Sequence, residues 1–335
     1  MKFARLVYQD KDSSITKYTN VGDWFQTFAV DNLYQLMNIQ PDDIIEINRS
    51  DLKNYNGEKA VLVMQGWFNQ LEREDFFPLS PNIVPIFLGF HRLDSKKIMV
   101  AQDELIGCRD EKTFLNMKKL GYNAFVSGCL TITLPRRSQE KKYSEVFFVD
   151  VPNSLFEYVP EEILINSHKI TQEIVNVSNP EEEARKLIEW YRDSAKLVVT
   201  SRLHCAAPCL GMGIPVILVR KYFDDRYGWI DKWLKLYTPD KFSEIDWEPE
   251  VIDIREEREL LLSIFEREIF NRDITEESCK LSNGFLQRER TPFSEPSIFV
   301  RLFWEFQKVA PKLSNFIRYR LLRSFTVIGN DAENM

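Results

Sequence analysis

Short apolar runs alternate with amphipathic stretches as far as residue 220. The runs of strand length are FARLVYQ, DIIEI, AVLVMQG, IVPIFLGFH, ELIGCRD, NAFVSGCLTITL, EVFFVDVP, KLVVTS and IPVILV. Between them, GDWFQTFAVDNLYQLM, EKTFLNMKKLG, NPEEEARKLIEWYRDSA and RLHCAAPCLGMG indicate helices. This alternation predicts an α/β fold with parallel sheets. Pro85, inside IVPIFLGFH, predicts a weakened strand or one near a sheet edge.

A chain of 335 residues is longer than most single domains, so two domains are expected. The polar stretch Pro135–Ser144 is the best candidate for a linker. We therefore predict one α/β domain over residues 1–140 and a second over residues 141–296. Two open α/β domains in series indicate a cleft between them, and ligands of such sheets bind beyond the carboxyl ends of the strands.

Residues 297–335 are predicted to form a helical segment and a tail. Large apolar side chains alternate there with basic ones, namely Arg301, Lys308, Lys312, Arg318, Arg320 and Arg323. One interpretation is a terminal helix that packs over the cleft and is interrupted near Pro311. The other is a basic amphipathic surface over 297–325 that makes peripheral contact with an anionic membrane. The sequence leaves both interpretations open.

Charge and cysteine content narrow the class of protein. A formal net charge of −7 makes the chain as a whole a poor partner for nucleic acid. The five cysteines are sparse and include no CxxC pair, which favours a reducing compartment over a disulfide scaffold. The N-terminal stretch lacks the features of a secretory signal, and no apolar run approaches the ~20 residues that span a bilayer. We therefore expect a cytoplasmic protein.

The stretch TSRLHCAAPC places polar residues between two apolar runs. If the first strand ends near Ser201, Arg202 and His204 lie in a strand-to-helix turn, where backbone amides favour an anion. Arg202 adds a permanent charge with planar donors, and His204 exchanges a proton near neutral pH. Together they suit a small anionic substrate that must be protonated. A metal site with Cys205 and Cys209 is not expected, because the surroundings are apolar and no further ligand pair is near.

Three segments, in order over most of residues 15–220, resemble the polysaccharide pyruvyl transferase family. TNVGDWFQTFAVDNL is similar to the family's N-x-G-D-x-x-Q loop and helix. IGCRDEKTFLNMKKLGYNAFVSGCLTITL resembles its strand-to-helix segment that starts with arginine and an acidic residue. VVTSRLHCAAPCLGMGIPVILV resembles its SRLHG and G-x-P-V-I core. This chain has Cys205 where the family usually has glycine, and SGCLTITL where many members carry an acidic strand end.

The resemblance implies two Rossmann-like domains that face a cleft, as in GT-B glycosyltransferases, with the acceptor on the N-terminal side and the donor on the C-terminal side. It implies transfer of the pyruvyl group of phosphoenolpyruvate to two sugar hydroxyls, which gives a pyruvate ketal. The sugar would belong to a polysaccharide or to a lipid-linked oligosaccharide, and a lipid-linked acceptor would bring the protein to the inner face of the membrane. Phosphoenolpyruvate is a co-substrate, and neither a cofactor nor a metal is expected.

The resemblance also assigns residues to the donor. His204 is the candidate general acid, with Arg202 beside it in the catalytic pair. The donor-binding candidates are Arg109, Ser201, Arg202, Leu203 and His204. From its position in a turn alone, Arg109 would more often belong to a surface ion pair, and a histidine such as His204 is often a hydrogen-bonded structural residue.

The acceptor-binding candidates lie in the N-terminal half and are Asn20, Asp23, Gln26, Gln65, Trp67 and His91. Asn20 and Asp23 equally fit a turn with a helix cap. The stretch around Trp67 combines an aromatic ring with amides, which suits a sugar, although a loop with a packed tryptophan explains it as well. His91 ends a predicted strand, and its role is open.

Two other functions are compatible with these residues. A GT-B-like glycosyltransferase with a nucleotide-sugar donor would also place an arginine and a histidine near a cleft. An inactive glycan-binding homologue would keep the fold without the chemistry. Binding of phosphoenolpyruvate rather than a nucleotide-sugar separates the first alternative from pyruvyl transfer.

Overall fold

The computed structural model describes residues 1–8, 18–69, 76–101, 104–175 and 177–288. The predicted C-terminal helical segment and tail, with the membrane contact proposed for 297–325, lie outside the described residues. Within the described ranges, no helix combines the length and the apolar character that crossing a membrane requires.

Strands and helices alternate as the hydrophobic pattern predicts. The strands are β1 Lys2–Val7, β2 Tyr18–Asn20, β3 Ile44–Asn48, β4 Ala60–Val63, β5 Gly66–Trp67, β6 Ile83–His91, β7 Leu105–Cys108, β8 Asn123–Val126, β9 Glu145–Val149, β10 Ser167–Ile170, β11 Glu173–Val175, β12 Ala195–Thr200, β13 Val216–Val219 and β14 Leu236–Tyr237. The helices are α1 Trp24–Leu36, α2 Glu111–Lys119, α3 Glu161–Leu164, α4 Pro180–Ser194, α5 Leu203–Met212, α6 Arg255–Ile269 and α7 Thr275–Leu286.

Local sequence explains where several helices begin and end. The side chain of Asn179 accepts a hydrogen bond from the Glu182 amide at 3.2 Å, and Pro180 occupies the first turn of α4. Asp110 caps α2 in the same way through the Thr113 amide at 2.9 Å. Helix α5 ends at Gly213, whose φ of 74° is the left-handed conformation that glycine adopts without steric cost.

The first sheet has the strand order β3-β1-β4-β6-β7-β8, with β5 beside β6, and every pair in it is parallel. The expectation that Pro85 places its strand near a sheet edge is wrong, because β6 lies inside the sheet between β4 and β7. In a parallel strand, the backbone N–H and C=O groups of successive residues point toward opposite neighbouring strands. The carbonyls of Asn82 and Ile86 accept hydrogen bonds from Ala60 and Met64, on the side of β4. Pro85 therefore faces β7, whose pairing with β6 begins only at Phe87.

The second sheet has the order β10-β9-β12-β13-β14 and is also entirely parallel. A short antiparallel pair, β2 with β11, joins the two halves and sets Asn20 opposite Glu173. The α/β class with helix-flanked parallel sheets is confirmed. The arrangement is compatible with two Rossmann-like domains, and the boundaries 1–140 and 141–296 stay a prediction.

The apolar core continues from one sheet to the other. One buried cluster includes Trp24 and Phe25 of α1 together with Ala206 and Leu210 of α5. The predicted linker is anchored on the second half, where the Arg137 amide bonds to the Met212 carbonyl at 3.0 Å.

Helices near the end of the described chain also pack against elements near its start. Phe265 of α6 contacts the ring of Tyr34, with 6.0 Å between ring centroids. The amide of Val126 in β8 donates to the hydroxyl of Ser282 in α7 at 3.0 Å.

The contact between α5 and the segment after β8 gives a test of the packing. A methyl group at Gly211 would lie 2.6 Å from the Ile132 carbonyl oxygen. Backbone atoms cannot turn aside as a side chain can, so Gly211→Ala should reduce the free energy of unfolding by about 1–3 kcal/mol. Chemical denaturation measures this change.

Gly284 is the matched control, because it is also a helical glycine. A methyl group there would meet only the flexible end of Lys232, at 3.2 Å. Gly284→Ala should leave stability unchanged or raise it, since alanine favours a helix over glycine by about 1 kcal/mol. Equal losses in both variants would contradict the proposed close packing of α5.

Candidate functional site

Polar residues lie at or just after the carboxyl ends of strands in both sheets. In the first sheet these are Tyr8, Arg49, Gln65, His91 and Arg109, and in the second they are Asp150, Ser201, Arg202 and Arg220. Carboxyl ends of parallel strands share one edge of a sheet, which is where ligands of open α/β folds bind. The two edges meet at the start of α5.

His204 is the point where the halves converge. Its Nδ1 lies 3.3 Å from Oδ1 of Asp23, which precedes α1, and its Nε2 lies 3.4 Å from Nη1 of Arg109, which follows β7. Two separate segments of the first half therefore contact one histidine of the second.

Gly22 permits this close approach. A side chain there would place its Cβ 2.8 Å from Gln172 Oε1 and 3.2 Å from the Cβ of His204. The Val21 amide donates to the Gln172 carbonyl at 2.9 Å, which holds the loop before α1 against the second half. Close packing against Gln172 and His204 therefore explains why the N-x-G-D-x-x-Q segment has glycine at this position.

The contacts shift the titration of three groups. Burial alone would lower the pKa of His204, but the contact with Asp23 and the negative charges nearby outweigh burial and raise the pKa. Burial would raise the pKa of Asp23 and of the Cys129 thiol. The hydrogen bond and charge of His204, assisted by the charge of Arg109, instead lower both pKa values. The raised pKa of His204 favours a protonated imidazole beside the carboxylate of Asp23.

Arg109 has the features of an anion-binding side chain. It is 2% exposed, and its Nε makes no hydrogen bond to any of the described residues, although Oδ2 of Asp110 lies 3.9 Å away. Across from it, α5 starts without a side-chain cap from the described part of the chain. A buried guanidinium beside an uncapped helix start suits a small anion.

Arg202 occupies a different environment from the one that the sequence indicates. Its guanidinium lies 2.8 Å from Asp150 and 2.7 Å from Glu173, so two carboxylates already pair with it. Ser201 donates its hydroxyl to the Asp150 carbonyl at 2.6 Å. The side chain of Leu203 is buried, which leaves its backbone amide as the part at the helix start. These residues shape the turn that presents His204.

The first acceptor candidates surround the same loop. Asn20 accepts from the Gly22 amide at 3.2 Å and donates to Asp23 at 3.4 Å, so it does cap the turn. Asp23 is not a cap, because its carboxylate faces His204 instead. Gln65 donates to the Gln26 carbonyl, and the amide oxygens of both glutamines are buried without a hydrogen-bond partner among the described residues.

His91 and Trp67 lie opposite each other on paired strands. Nδ1 of His91 is 2.5 Å from Oδ2 of Asp110 and 3.0 Å from the hydroxyl of Thr113. Burial lowers the pKa of His91 despite the nearby Asp110 carboxylate. Its Nε2 is buried and has no partner within the described ranges. Trp67 is half-buried, and its carbonyl accepts from Arg49 at 3.4 Å.

Sequence reasoning missed several residues of this region. Cys129 belongs to a run that the sequence predicts only as a closing strand, yet it lies beyond the end of β8, which is Val126. The rule of strand ends could also have indicated Tyr8 and Arg49, which follow β1 and β3. The hydroxyl of Tyr8 is buried without a hydrogen-bond partner in the described structure, and burial raises its pKa. No local signal indicated Gln172, whose contact with the loop before α1 depends on the tertiary fold.

The ion pairs of Arg202 generate a stability prediction. Arg202→Met removes the cation that lies between Asp150 and Glu173, and the side chain of Glu173 is only 4% exposed. We expect a loss of roughly 2 kcal/mol in the free energy of unfolding, between the values for exposed and buried pairs. Chemical denaturation measures it. Arg192→Met, which breaks an exposed pair with Asp193, is the control and should change little. An equal loss of stability in both variants would show that the ion pairs of Arg202 stabilise the fold no more than the exposed pair of Arg192.

Comparison with known proteins agrees with the segments identified above. The family model described as polysaccharide pyruvyl transferase matches residues 6–220, more than half of the chain. No curated protein matches the sequence. A solved structure of a functionally uncharacterized protein from Klebsiella pneumoniae subsp. pneumoniae is similar at 16% identity, with 68% of this chain and 88% of that chain covered and a TM-score of 0.37. The matched span contains Asp23, Arg109 and His204, and the chain belongs to the polysaccharide pyruvyl transferase family.

Proposed function

We propose that the protein transfers the pyruvyl group of phosphoenolpyruvate to two hydroxyls of a sugar, in a polysaccharide or a lipid-linked oligosaccharide, and forms a pyruvate ketal. One observation carries the proposal: Nη1 of Arg109 and Nε2 of His204 come from different halves and lie 3.4 Å apart. When the imidazole is protonated, both groups are N–H donors beside one another, and an anion bound there accepts from both.

Phosphoenolpyruvate carries a carboxylate and a phosphate, and the site has donors for both. Arg109 contributes a buried guanidinium with an unsatisfied Nε, and α5 contributes the amides of its first turn, at Leu203 and His204. Arg202 and Ser201 act on the donor through the shape and charge of the turn. The net charge of −7 makes such a local cationic site necessary for an anionic substrate.

His204 is the proton donor in this proposal. It protonates the methylene carbon, C3, which makes C2 of phosphoenolpyruvate electrophilic. One sugar hydroxyl then adds to C2, and the bond between C2 and the phosphate oxygen breaks. A second hydroxyl adds to C2 and closes the ketal. Two hydroxyl protons are released, one of which restores His204 while the other leaves with phosphate, so atoms and charges balance.

The acceptor binds on the side of the first sheet. The buried amide oxygens of Gln26 and Gln65 are hydrogen-bond acceptors for sugar hydroxyls, and Trp67 offers an aromatic face for the ring. His91 has an available Nε2 lone pair at the same edge. Asn20 and Asp23 position the loop between acceptor and donor.

Phosphate release with phosphoenolpyruvate across a panel of acceptor glycans tests the proposal. Acceptor-dependent release, with the ketal detected by mass spectrometry and NMR, is the expected result. Turnover with a nucleotide-sugar instead would establish glycosyl transfer. Binding of glycans without turnover of either donor would establish an inactive homologue.

His204→Ala should lower the turnover rate by ~10²–10⁴-fold, the usual contribution of a general acid. The affinity for phosphoenolpyruvate, measured by calorimetry, should change far less. His168→Ala is the control, because His168 lies on the surface and pairs with Glu145 at 3.0 Å. Activity of folded His204→Ala within a few-fold of the parent would exclude His204 as the acid.

Arg109→Lys should weaken binding of phosphoenolpyruvate, because lysine keeps the charge and loses the planar set of donors. Arg137→Lys is a matched control, since Arg137 is also a buried arginine and bonds to Ala195 at the opposite end of β12. Calorimetry with both variants compares the two positions. Equal affinities in Arg109→Lys and the parent would remove Arg109 from the donor site.

A further inference from the structure

We propose that Tyr8 and Gln26 form a specificity-determining subsite beside Gly66, in which one unsubstituted hydroxyl of the acceptor sugar binds between the phenol of Tyr8 and the amide oxygen of Gln26. This inference rests on the proposed function, because it names a feature that the acceptor must have. Neither the sequence motifs nor the family match assigns a role to Tyr8.

Tyr8 and Gly66 lie just beyond the ends of neighbouring strands of the first sheet. Strand β1 ends at Val7 and β4 ends at Val63, and the two strands are paired. A Cβ built on Gly66 would lie 3.5 Å from the hydroxyl oxygen of Tyr8 and 3.3 Å from Oε1 of Gln26. Both polar atoms therefore face the same side of Gly66 and border one small space at the carboxyl edge of the sheet.

The protein itself satisfies neither of these polar atoms. The hydroxyl of Tyr8 and Oε1 of Gln26 are both buried, and neither hydrogen-bonds to any part of the chain that the structure describes. A buried polar atom without a partner costs free energy, and most such atoms in folded proteins are paired. Two of them around one point indicate a ligand that pairs with both.

The two atoms define the chemistry of that ligand. Oε1 of Gln26 only accepts hydrogen bonds, so the ligand must donate to it. Burial, with a contribution from the charge of Asp23, raises the pKa of Tyr8, so its hydroxyl keeps its proton and donates. An unsubstituted hydroxyl accepts from Tyr8 and donates to Gln26 at once, whereas an O-methyl or O-acyl group has no proton for Gln26.

Aromatic and charged neighbours fix the ring of Tyr8. The guanidinium of Arg49 lies 5.4 Å from the centroid of this ring, and the ring of Trp24 meets it edge-on with 5.9 Å between centroids. Arg49 also donates to the carbonyl of Trp67 at 3.4 Å. None of these contacts uses the hydroxyl of Tyr8, so they hold the phenol in place and leave its hydrogen bonds for a ligand.

Gln26 connects the subsite to the donor site. Its Nε2 donates to the Asp23 carbonyl at 3.4 Å, and the carboxylate of Asp23 lies 3.3 Å from His204. Gln65 holds the backbone of Gln26 in turn, by donating to its carbonyl. The subsite is therefore one helical turn away from the residue that faces the proposed proton donor.

A stability comparison tests whether the Tyr8 hydroxyl is bonded within the protein. Tyr8→Phe removes a hydroxyl with no partner among the described residues, so the midpoint of chemical denaturation should stay in place or rise. Tyr34→Phe is the matched control, because the buried hydroxyl of Tyr34 donates to the Ala4 carbonyl at 2.9 Å, and its midpoint should fall. An equal fall in both variants would overturn the proposal and assign the Tyr8 hydroxyl to the fold, for example through a buried water molecule.

Calorimetry with the panel of acceptor glycans tests the binding role. Tyr8→Phe should weaken binding of the acceptor by ~5–150-fold, the cost of leaving one buried polar group unpaired. Its affinity for phosphoenolpyruvate should match that of the parent, and Tyr34→Phe should bind the acceptor as the parent does. Unchanged affinity of Tyr8→Phe for the acceptor would overturn the proposal.

Deoxy analogues of the same glycan identify the hydroxyl that binds. The parent should bind one analogue far more weakly than the acceptor, because a site built for a hydroxyl rejects a ligand that lacks it. Tyr8→Phe should discriminate less against that analogue. Equal binding of every deoxy analogue by the parent would show that no hydroxyl is recognised and would overturn the subsite.

Binding and turnover separate this inference from the proposed function. If glycans bind and no phosphate is released from phosphoenolpyruvate, the proposed function fails, and the comparison of Tyr8→Phe with the parent still decides the subsite. If phosphate is released and Tyr8→Phe binds the acceptor as the parent does, the function stands and the role of Tyr8 is rejected. If no glycan binds and no phosphate is released, both are rejected.

Discussion

The close contact of α5 with both halves of the molecule is the constraint on which the site depends. At its start, Gly22 leaves room for His204 beside the loop that carries Asp23. Near its end, Gly211 lies directly against the backbone of Ile132. Helix α5 is therefore confined at two points by the first half, although the strands on either side of it belong to the second sheet. A shift of the helix by the size of one methyl group would separate His204 from Asp23 and Arg109 together.

At this edge of the sheets, charged side chains lie close to side chains of opposite charge. The carboxylate of Asp110 bonds to His91 on one side and lies 3.9 Å from Arg109 on the other. Arg202 is similarly placed between two carboxylates. Burial of a charge is costly unless a partner is present, and each of these groups has one. Arg109 differs from Arg202 because its Nε is buried and makes no hydrogen bond to any described residue.

Sequence periodicity and strand ends were sufficient for the α/β class, for most elements, and for placing Arg109 and His204 in strand-to-helix turns, whereas Arg109 was assigned to the site only through the family resemblance. Local rules were also sufficient for the cap at Asn179, because its partner is only three residues away. Local rules could not identify the partners of His204, because Asp23 and Arg109 are 181 and 95 positions away along the chain. The error at Pro85 has the same origin, since its tolerance depends on where β7 begins to pair.

The hydrogen bond between Val126 and Ser282 joins residues 156 positions apart and has a consequence for synthesis of the protein. Strand β8 is the last strand in the order of the first sheet, and α7 covers it. A ribosome adds about 5–20 residues per second, so β8 is made roughly 8–30 s before the helix that covers it. During that interval the nascent chain exposes an edge strand able to pair with other chains. Release from the ribosome before residue 288 is translated would therefore leave the first sheet uncovered at the strand that precedes Cys129.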